Sequence, residues 1–309
     1  MNNSTRRRFL TTAGAAALGS TITAEAQFHS KMNDNIDAHV HVWDDKREKY
    51  PLSPDFASKD VAPSTFTPEE LFAQQKGTSV SRTVLIQMSF FKYDNSYMTD
   101  VIQKHPGKFR GVGIVDESKE ELKETMVDLK GKGVRGFRLY AFLDKVKEWE
   151  GSAGIKKMWK VGAEENLSMC CLTDPESLPY IQKFCEKNPD TPVVIDHFAR
   201  IGMTGTVDQK QLDNLLALAK FKNTSVKTSA FYALGKKAPP YTDLGDMVKQ
   251  LRDAYGSKRL MWASDCPFQV QGDHSYKASV DLIEKKLDFL SKEEIADIMK
   301  NTAERVFFT

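Results

Sequence analysis

The sequence predicts a (β/α)8 barrel, also called a TIM barrel, formed by residues 27–309 as a single domain. Short apolar or β-branched runs alternate with longer amphipathic segments, which is the pattern of repeated βα units around a parallel sheet. Eight such runs are spread over a chain of 309 residues, and a barrel of this kind typically takes ~250 residues. A doubly wound open sheet is the alternative, but no run is followed by a glycine-rich dinucleotide fingerprint.

The predicted strands are short runs rich in Val, Ile, Leu and aromatic residues, in this order: NIDAHVHVW, SRTVLIQMS, FRGVGIV, VRGFRLY, LSMCCLT, TPVVIDHF, TSVKTSAFY and KRLMWASDCPF. Helical patterns lie between them. In TPEELFAQQKG, Thr67 is a candidate N-cap with Pro68 in the first turn, and ESKEELKETMVDLKGKG closes with Gly131 and Gly133. DPESLPYIQKFCEKNPD and DQKQLDNLLALAKF repeat the same design.

Residues 1–26 are predicted to be a cleaved twin-arginine signal peptide. They combine the stretch TRRRFL, a run of apolar and small residues from Phe9 to Ile22, and an A-x-A-like site at 24–26. The run is too short and too rich in Gly, Ser and Thr to be a transmembrane helix, which needs ~20 apolar residues. We therefore expect the twin-arginine machinery to export the folded protein to the periplasm, with no membrane anchoring after cleavage before Gln27.

Composition excludes some classes of partner. The net charge is +2 and no basic block lies outside the leader, so neither nucleic acid nor an anionic membrane surface is expected as a partner.

The four cysteines form no spaced framework, and Cys170 and Cys171 are adjacent in an apolar run. Thiols in such runs usually act as small buried hydrophobes. The composition fits a globular body of enzyme size, and the expected partner is a small-molecule substrate.

Polar residues at the ends of three predicted strands point to one site. His39 and His41 in DAHVHVW have the same parity along a strand, which Asp37 shares, so we expect them to face the same side. His197 ends the sixth run and Asp265 the eighth. Catalytic groups of such barrels cluster at the carboxyl ends of the strands. The set predicts either a divalent-metal site or a metal-free site that polarises a carbonyl and activates water.

The same residues lie in motifs that resemble a known family. The stretches DAHVHVWD, VRGFRLY, VVIDHFARIG, RLMWASDCPF and NTAERVFF resemble the amidohydrolase-related proteins of the amidohydrolase superfamily, in the branch that contains sugar-acid lactonases and 2-pyrone-4,6-dicarboxylate lactonase. The resemblance implies that Asp265 takes the proton from the attacking water. It also implies that His39, His41 and His197 hold a divalent metal or polarise the substrate carbonyl directly.

One departure from the family limits the metal site. Many metal-dependent members have a histidine or a modified lysine on the fourth or fifth strand, whereas LSMCCLT offers only Met169 and two cysteines, and VRGFRLY contains no lysine. A two-metal site is therefore not expected. One metal, zinc being the first choice, can be held by three histidines and Asp265. Without a metal, Asp265 must activate water alone, which favours a lactone over an amide.

Three further residues are candidates for substrate binding. Arg138 ends the fourth strand, where a guanidinium can bind a substrate carboxylate or hydroxyl, or can pair with a neighbouring carboxylate. Arg135 has the opposite parity and is the weaker candidate. Gln87 at the end of the second strand is a candidate hydrogen-bonding residue. Trp43 is placed to form a wall for a sugar ring or to pack in the core.

Other titratable residues have less defined roles. Lys227 on the seventh strand is either a general acid or a side chain directed between strand and helix. His274 is expected on a loop at the mouth. His105 is expected in a surface turn, and His29 in a disordered stretch beside the cleavage site.

The predicted function is that of a periplasmic hydrolase that opens a lactone, such as a sugar-acid lactone, by attack of water. Three alternatives stay open: a metal-dependent decarboxylase, a hydrolase of amides or carbamates, and an exported carbohydrate-binding protein that keeps a relic site. The loops KREKYPLSPDFASKDVAPSTF and YALGKKAPPYTDLG have the composition of a recognition surface, but composition does not name a ligand.

Overall fold

A computed structural model describes residues 34–309, so the predicted signal peptide, its cleavage site and His29 lie outside the described residues. Eight parallel strands form one sheet in sequential order. Their bounds are β1 Asn35–Val40, β2 Val80–Ile86, β3 Phe109–Gly113, β4 Val134–Ala141, β5 Ser168–Thr173, β6 Val193–Ile195, β7 Thr224–Thr228 and β8 Leu260–Trp262. The predicted (β/α)8 barrel is confirmed. The sixth and eighth strands are much shorter than the apolar runs that contain them.

The helices lie between the strands and cover the outside of the sheet. Their bounds are α1 Pro68–Gln75, α2 Ser96–Lys104, α3 Leu122–Gly131, α4 Leu143–Val146, α5 Ala153–Glu165, α6 Leu178–Lys187, α7 Gln209–Leu216, α8 Gly245–Tyr255, α9 Tyr276–Asp281 and α10 Lys292–Ala296. Thr67 caps α1 as predicted. Its side chain accepts a hydrogen bond from the backbone of Glu70, whose carboxylate accepts one in return, which forms a capping box.

The barrel closes between β1 and β8 through two backbone hydrogen bonds rather than a regular ladder. The Asp265 amide donates to the His39 carbonyl at 2.9 Å, and the His41 amide donates to the Cys266 carbonyl at 2.8 Å. Both bonds lie at the carboxyl ends of the two strands. Closure of the barrel therefore places Asp265 directly beside His39 and His41.

The opposite end of the barrel is apolar and sealed. Its interior cluster includes Ile36, Val84, Val194 and Met261, and the C-terminal segment 304–308 inserts the fully buried side chain of Phe307 into it. Packing of this kind makes the interior of a small barrel a core and not a pore. Chemistry is therefore confined to the other end.

The structure corrects the predicted orientation of Asp37. Its carboxylate accepts hydrogen bonds from the Tyr276 hydroxyl of α9 at 2.8 Å and from the Ser264 amide at 2.9 Å, so it faces the outer helices. The pairing of β1 with β2 shifts register between Asp37 and Val40. Because such an irregularity changes which side successive residues face, the simple alternation that grouped Asp37 with the histidines does not hold.

All four cysteines are buried and free. Burial raises the pKa of Cys170 and of Cys185 to about 12, so these thiols are neutral and pack as apolar groups, as predicted. Within residues 34–309, no helix has both the length and the apolar character needed to cross a bilayer.

Candidate active site

The four residues predicted to form the site come together at the mouth of the barrel. The Nε2 atoms of His39 and His41 are 3.2 Å apart. Asp265 Oδ1 lies 3.3 Å from His41 Nε2 and 3.5 Å from His39 Nε2. His197 Nε2 faces the other carboxylate oxygen of Asp265 at 3.8 Å. All four side chains are buried.

His197 and Asp265 are held in an uncommon backbone conformation. Their φ angles are +53° and +66°, in the left-handed region that few residues other than glycine adopt. Such conformations cost of order 1–3 kcal/mol each and cluster at functional sites. Here they turn the chain sharply just beyond Ile195 and Trp262, the last residues of β6 and β8, so that both side chains project over the mouth.

Hydrogen bonds to the Nδ1 atoms orient two of the imidazoles. His41 Nδ1 lies 2.9 Å from the Ile86 carbonyl, which can only accept, so Nδ1 carries the proton and Nε2 presents its lone pair to the mouth. His197 Nδ1 lies 2.8 Å from the hydroxyl of Ser229. Ser229 is fully buried behind the ring, and it therefore orients His197 rather than acting as a nucleophile.

His39 stands above a buried ion pair that the sequence reasoning missed. Lys227 Nζ lies 3.0 Å from Asp196 Oδ1, and both approach His39 Nδ1, at 3.2 and 3.6 Å. None of these three side chains is exposed to solvent. Lys227 therefore points into the barrel, not between strand and helix. The only sequence signal for Asp196 was its position directly before His197 at a strand end.

These charges set the protonation of the site. Burial, followed by the positive charge of Lys227, holds the pKa of His39 well below its usual range, so its ring is neutral. Burial raises the pKa of Asp265, but the neighbouring histidines, His197 foremost, outweigh it and leave that pKa below its ordinary value. Neutral imidazoles and an ionised carboxylate are the forms in which these residues ligate a metal.

The residues fit a divalent cation. The ligand atoms of His39, His41 and Asp265 form a triangle with sides of 3.2 to 3.5 Å. Ligands at ~2.0–2.1 Å from a tetrahedral zinc are separated by about 3.4 Å. The lone pair of His41 Nε2 also faces an oxygen of the Asp265 carboxylate. Two acceptors cannot hydrogen-bond each other, but a cation between them would bind both. Asp196 lies where a carboxylate commonly orients a ligating histidine.

Tyr232 is a second residue that the sequence reasoning missed. Its hydroxyl donates a hydrogen bond to Asp265 Oδ2 at 2.7 Å. Burial and the charge of Asp265 raise the pKa of Tyr232, so the hydroxyl stays protonated. Tyr232 lay at the end of the seventh apolar run, but β7 ends at Thr228, and the turn that follows carries the tyrosine over the mouth.

A cavity of about 290 Å³ opens onto these groups. Its wall combines the reactive residues with apolar side chains, and the residues that line it include His41, His197, Asp265, Arg138, Tyr232, Phe268 and Leu172. No serine or cysteine lines the cavity, so within the described residues its wall offers no hydroxyl or thiol nucleophile of those two types. Water is the nucleophile that the arrangement suits.

Arg138 lies in this wall without a carboxylate partner. Its Nη1 is 3.3 Å from His39 Nε2, its side chain is buried, and its Nε has no hydrogen-bond partner. No carboxylate of residues 34–309 lies within ion-pair distance of it, so the alternative in which it pairs with a neighbouring carboxylate is not what the structure has. Arg135 instead donates to the carbonyls of Lys130 and Val134, away from the site.

Gln87 and Trp43 do not line this cavity. The Gln87 side-chain amide donates to the carbonyls of Lys92 and Asp94 and so braces the loop after β2. Trp43 has no exposed surface, and its indole N–H donates to the Pro63 carbonyl at 3.0 Å. Trp43 therefore packs in the core and does not form a wall for a sugar ring, because the loop that follows it folds over its ring.

The two remaining histidines of the described chain lie outside the cluster. His274 follows the last strand as expected, and its Nδ1 lies 2.9 Å from the Tyr241 hydroxyl. His105 lies in the turn after α2, with its ring against those of Phe72 and Phe109. Neither approaches the four mouth residues within hydrogen-bond distance.

Comparison with known proteins agrees with this geometry. A family model described as amidohydrolase matches residues 36–309. The chain is 26% identical over 250 residues to L-fucono-1,5-lactonase of Burkholderia ambifaria, covering 79% of this chain and 83% of that protein. It is 24% identical over 248 residues to 2-pyrone-4,6-dicarboxylate hydrolase of Comamonas testosteroni, covering 77% and 78%.

A solved structure has the same fold. It is an amidohydrolase from Burkholderia multivorans with bound zinc, with a TM-score of 0.73 and 21% identity over 89% of this chain and 99% of that one. The family model covers nearly the whole described chain and includes all four residues of the mouth cluster. The protein is therefore an enzyme that belongs to the amidohydrolase family.

Proposed function

We propose that this enzyme opens a lactone by attack of water. The observation that carries the proposal is the single ionised carboxylate, Asp265, set among three imidazoles in a small cavity whose lining offers no serine or cysteine nucleophile. Such a site activates water directly and forms no covalent intermediate with the protein. Relatives that are named for cyclic esters support a lactone as the substrate.

Asp265 is the general base. One of its oxygens is fixed by the Tyr232 hydroxyl and the other faces His39 and His41, so the carboxylate cannot rotate away from the cavity. A carboxylate whose pKa is lowered is a weak base. It suits an ester with a reactive carbonyl better than an amide, because an amide nitrogen is a poorer leaving group and must be protonated as the bond breaks.

Arg138 and His197 are placed to stabilise the charge that develops on the substrate. The Arg138 guanidinium lines the cavity as a buried, uncompensated cation, and a donor of that kind stabilises the carbonyl oxygen as it becomes negative. His197 lies on the other side of Asp265, where its ring can polarise the substrate when no metal is bound, and Asp265 returns the proton that it took from water to the oxygen that leaves the ring. The released hydroxyl stays part of the open-chain product.

We further propose a single divalent metal, zinc, with His39, His41, His197 and Asp265 as its ligands. Nitrogen and oxygen ligands suit zinc, which can expand from four to five ligands and would then accept water or the substrate beside these four residues. When bound, the cation would act as a Lewis acid on the substrate carbonyl and lower the pKa of water. The role of this chain would then be to hold the ligand atoms in place through Ile86, Ser229 and Asp196.

The test combines elemental analysis of the purified protein with hydrolysis of a panel of aldonolactones followed by a pH indicator. Asp265→Asn is expected to lower kcat/KM by ~10³-fold, the range for loss of a general base, with Asp128→Asn on the surface of α3 as the matched control. Stoichiometric zinc, lost in the His39→Ala, His41→Ala double variant, would establish the metal.

Two outcomes would contradict the proposal. Turnover by Asp265→Asn at the rate of the wild type would remove the general base. Release of carbon dioxide from carboxylated aromatics, without hydrolysis of any lactone, would favour the decarboxylase alternative.

We also propose that the enzyme acts in the periplasm after twin-arginine export, on the strength of the residues 5–10, TRRRFL. Replacing Arg6 and Arg7 by lysine is expected to leave the protein in the cytoplasmic fraction. Periplasmic recovery of that variant would contradict the proposed route.

A further inference from the structure

A second cavity shares one lining residue with the reaction cavity. It has a volume of about 400 Å³, compared with about 290 Å³ for the reaction cavity, and Arg138 lines both. Its other walls come from the segments that follow β2, β3 and β4, so it also lies at the mouth. Ligand pockets commonly have ~300–1,000 Å³. The reaction cavity alone is at the lower limit, and the second cavity offers room for a further part of the substrate.

Two tyrosines form aromatic walls of the second cavity. Tyr93 is 50% exposed, the largest fraction among the exposed large hydrophobic residues of the described chain. Tyr140 is half-buried, and the Arg138 guanidinium lies 5.6 Å from the centre of its ring. A tyrosine offers a flat apolar face together with a hydroxyl, the combination that suits a ligand with one apolar and one polar aspect.

The loop that carries Tyr93 is held rigidly despite the exposure of its side chain. The buried Asn95 donates to the Tyr93 carbonyl at 3.0 Å and exchanges hydrogen bonds with the backbone of Ile114 at 2.8 and 3.0 Å. Gln87 donates to the carbonyl of Asp94. A loop fixed in this way loses little conformational entropy when a ligand binds, as expected of a preorganised wall.

The polar side chains of the second cavity indicate what it accepts. Its charged lining residues are Arg138, Lys92, Lys145, Glu117 and Glu148, and Ser89 adds a hydroxyl. Lys92 is paired with Asp55, so two cations face two carboxylates. A ligand of either charge would therefore meet like charges, and a plain apolar ring would leave the polar groups without partners. A neutral ring that carries several hydroxyl groups matches both the tyrosine faces and the mixed polar groups.

We propose that the second cavity is a subsite for a sugar ring, and that the substrate is a lactone with a glycosyl substituent, as in a lactone derived from a disaccharide. The lactone ring lies beside Asp265 and the glycosyl ring lies past Arg138 against Tyr93. This inference rests on the proposed lactone hydrolysis and goes beyond it by naming the substituent that the lactone carries.

The test compares glucono-1,5-lactone with cellobiono-1,5-lactone, which adds one glucosyl ring. The wild type is expected to have the lower KM for the disaccharide lactone. Tyr93→Ala is expected to raise that KM by ~5-fold, the effect of losing one aromatic contact, with a much smaller effect on the monosaccharide lactone. Tyr180→Ala, which removes a tyrosine from α6 on the outside of the barrel, is the matched control.

The outcomes separate this inference from the proposed function. Hydrolysis of both lactones with equal KM, or an equal effect of Tyr93→Ala on both, would overturn the subsite while the lactonase stands. A preference for lactones with a carboxylate substituent over both would overturn it as well. If no lactone is hydrolysed, the proposed function fails. Binding of methyl β-glucoside, measured by saturation-transfer NMR on the wild type and Tyr93→Ala, then decides the subsite: loss in the variant supports it, and no binding to the wild type overturns it.

Discussion

The two ends of the barrel interior are equally buried but chemically opposite. At the sealed end, Ile36, Val194 and Met261 pack around Phe307. At the mouth, the same strands place histidines and charged groups, and the two layers meet where Lys227 Nζ lies 5.6 Å from the centre of the Phe307 ring. Burial of apolar groups stabilises the first layer, whereas in the second layer the pairing of Lys227 with Asp196 offsets much of the cost of burying charge. Stability and chemistry are therefore separated along the barrel axis.

The largest expected effect comes from removing one charge of the buried pair at the mouth. Lys227→Met would leave Asp196 as an uncompensated buried carboxylate, and loss of one partner of such a pair costs ~3–5 kcal/mol of unfolding free energy. Urea denaturation followed by circular dichroism measures it. The double variant Lys227→Met, Asp196→Asn is the control, because it removes both charges and is expected to recover most of the stability. A loss below ~1 kcal/mol in the single variant, the range of an exposed pair, would contradict the contrast between the layers.

A smaller effect, mainly on activity, is expected from Tyr232→Phe. The variant loses the hydrogen bond to Asp265 Oδ2, and bonds to charged groups contribute ~1.5–3 kcal/mol, so kcat/KM is expected to fall ~10-fold or more, with a loss of unfolding free energy no larger than that range. Tyr241→Phe is the matched control, because its hydroxyl contacts Gln269 and His274 and not Asp265. Equal activity of the two variants would show that Asp265 does not need this contact.

The smallest effect is expected at the sealed end. Phe307→Leu keeps an apolar side chain of somewhat smaller volume, and substitutions of this kind cost ~1 kcal/mol. The expected result is a modest loss of unfolding free energy with unchanged kcat and KM, measured beside Phe308→Leu, whose side chain is only partly buried. A fall in kcat would mean that the apolar layer also positions the reactive groups, and the two ends would then not be separable.

Much of the candidate site could be predicted from strand ends. The four residues His39, His41, His197 and Asp265 converge as expected, because carboxyl ends of parallel strands in a barrel meet at one mouth. Asp37 shows where prediction from strand parity fails. A register shift that is not visible in the local sequence pattern turns its side chain outwards. Trp43 shows a second limit: an aromatic residue beside a site has the same sequence signature whether it packs or binds.

Asp196 and Tyr232 were missed for a common reason. Each acts through a partner distant in sequence, Lys227 and Asp265 respectively, and only the closed barrel brings these pairs together. Gln87 shows the converse. Its position at a strand end was predicted from the sequence, but its partners, the carbonyls of the following loop, depend on how that loop folds.

By itself, the sequence determined the alternation of strands and helices, the (β/α)8 class, the family and the four residues at the mouth. These follow from periodicity and from motifs, which are properties of neighbouring residues. The tertiary structure alone decided that the hydrogen bonds between β1 and β8 bring Asp265 to the histidines, that Lys227 and Asp196 neutralise each other beneath them, and that Arg138 joins two cavities. These arrangements depend on distances between segments far apart in the chain, which packing of the whole barrel sets.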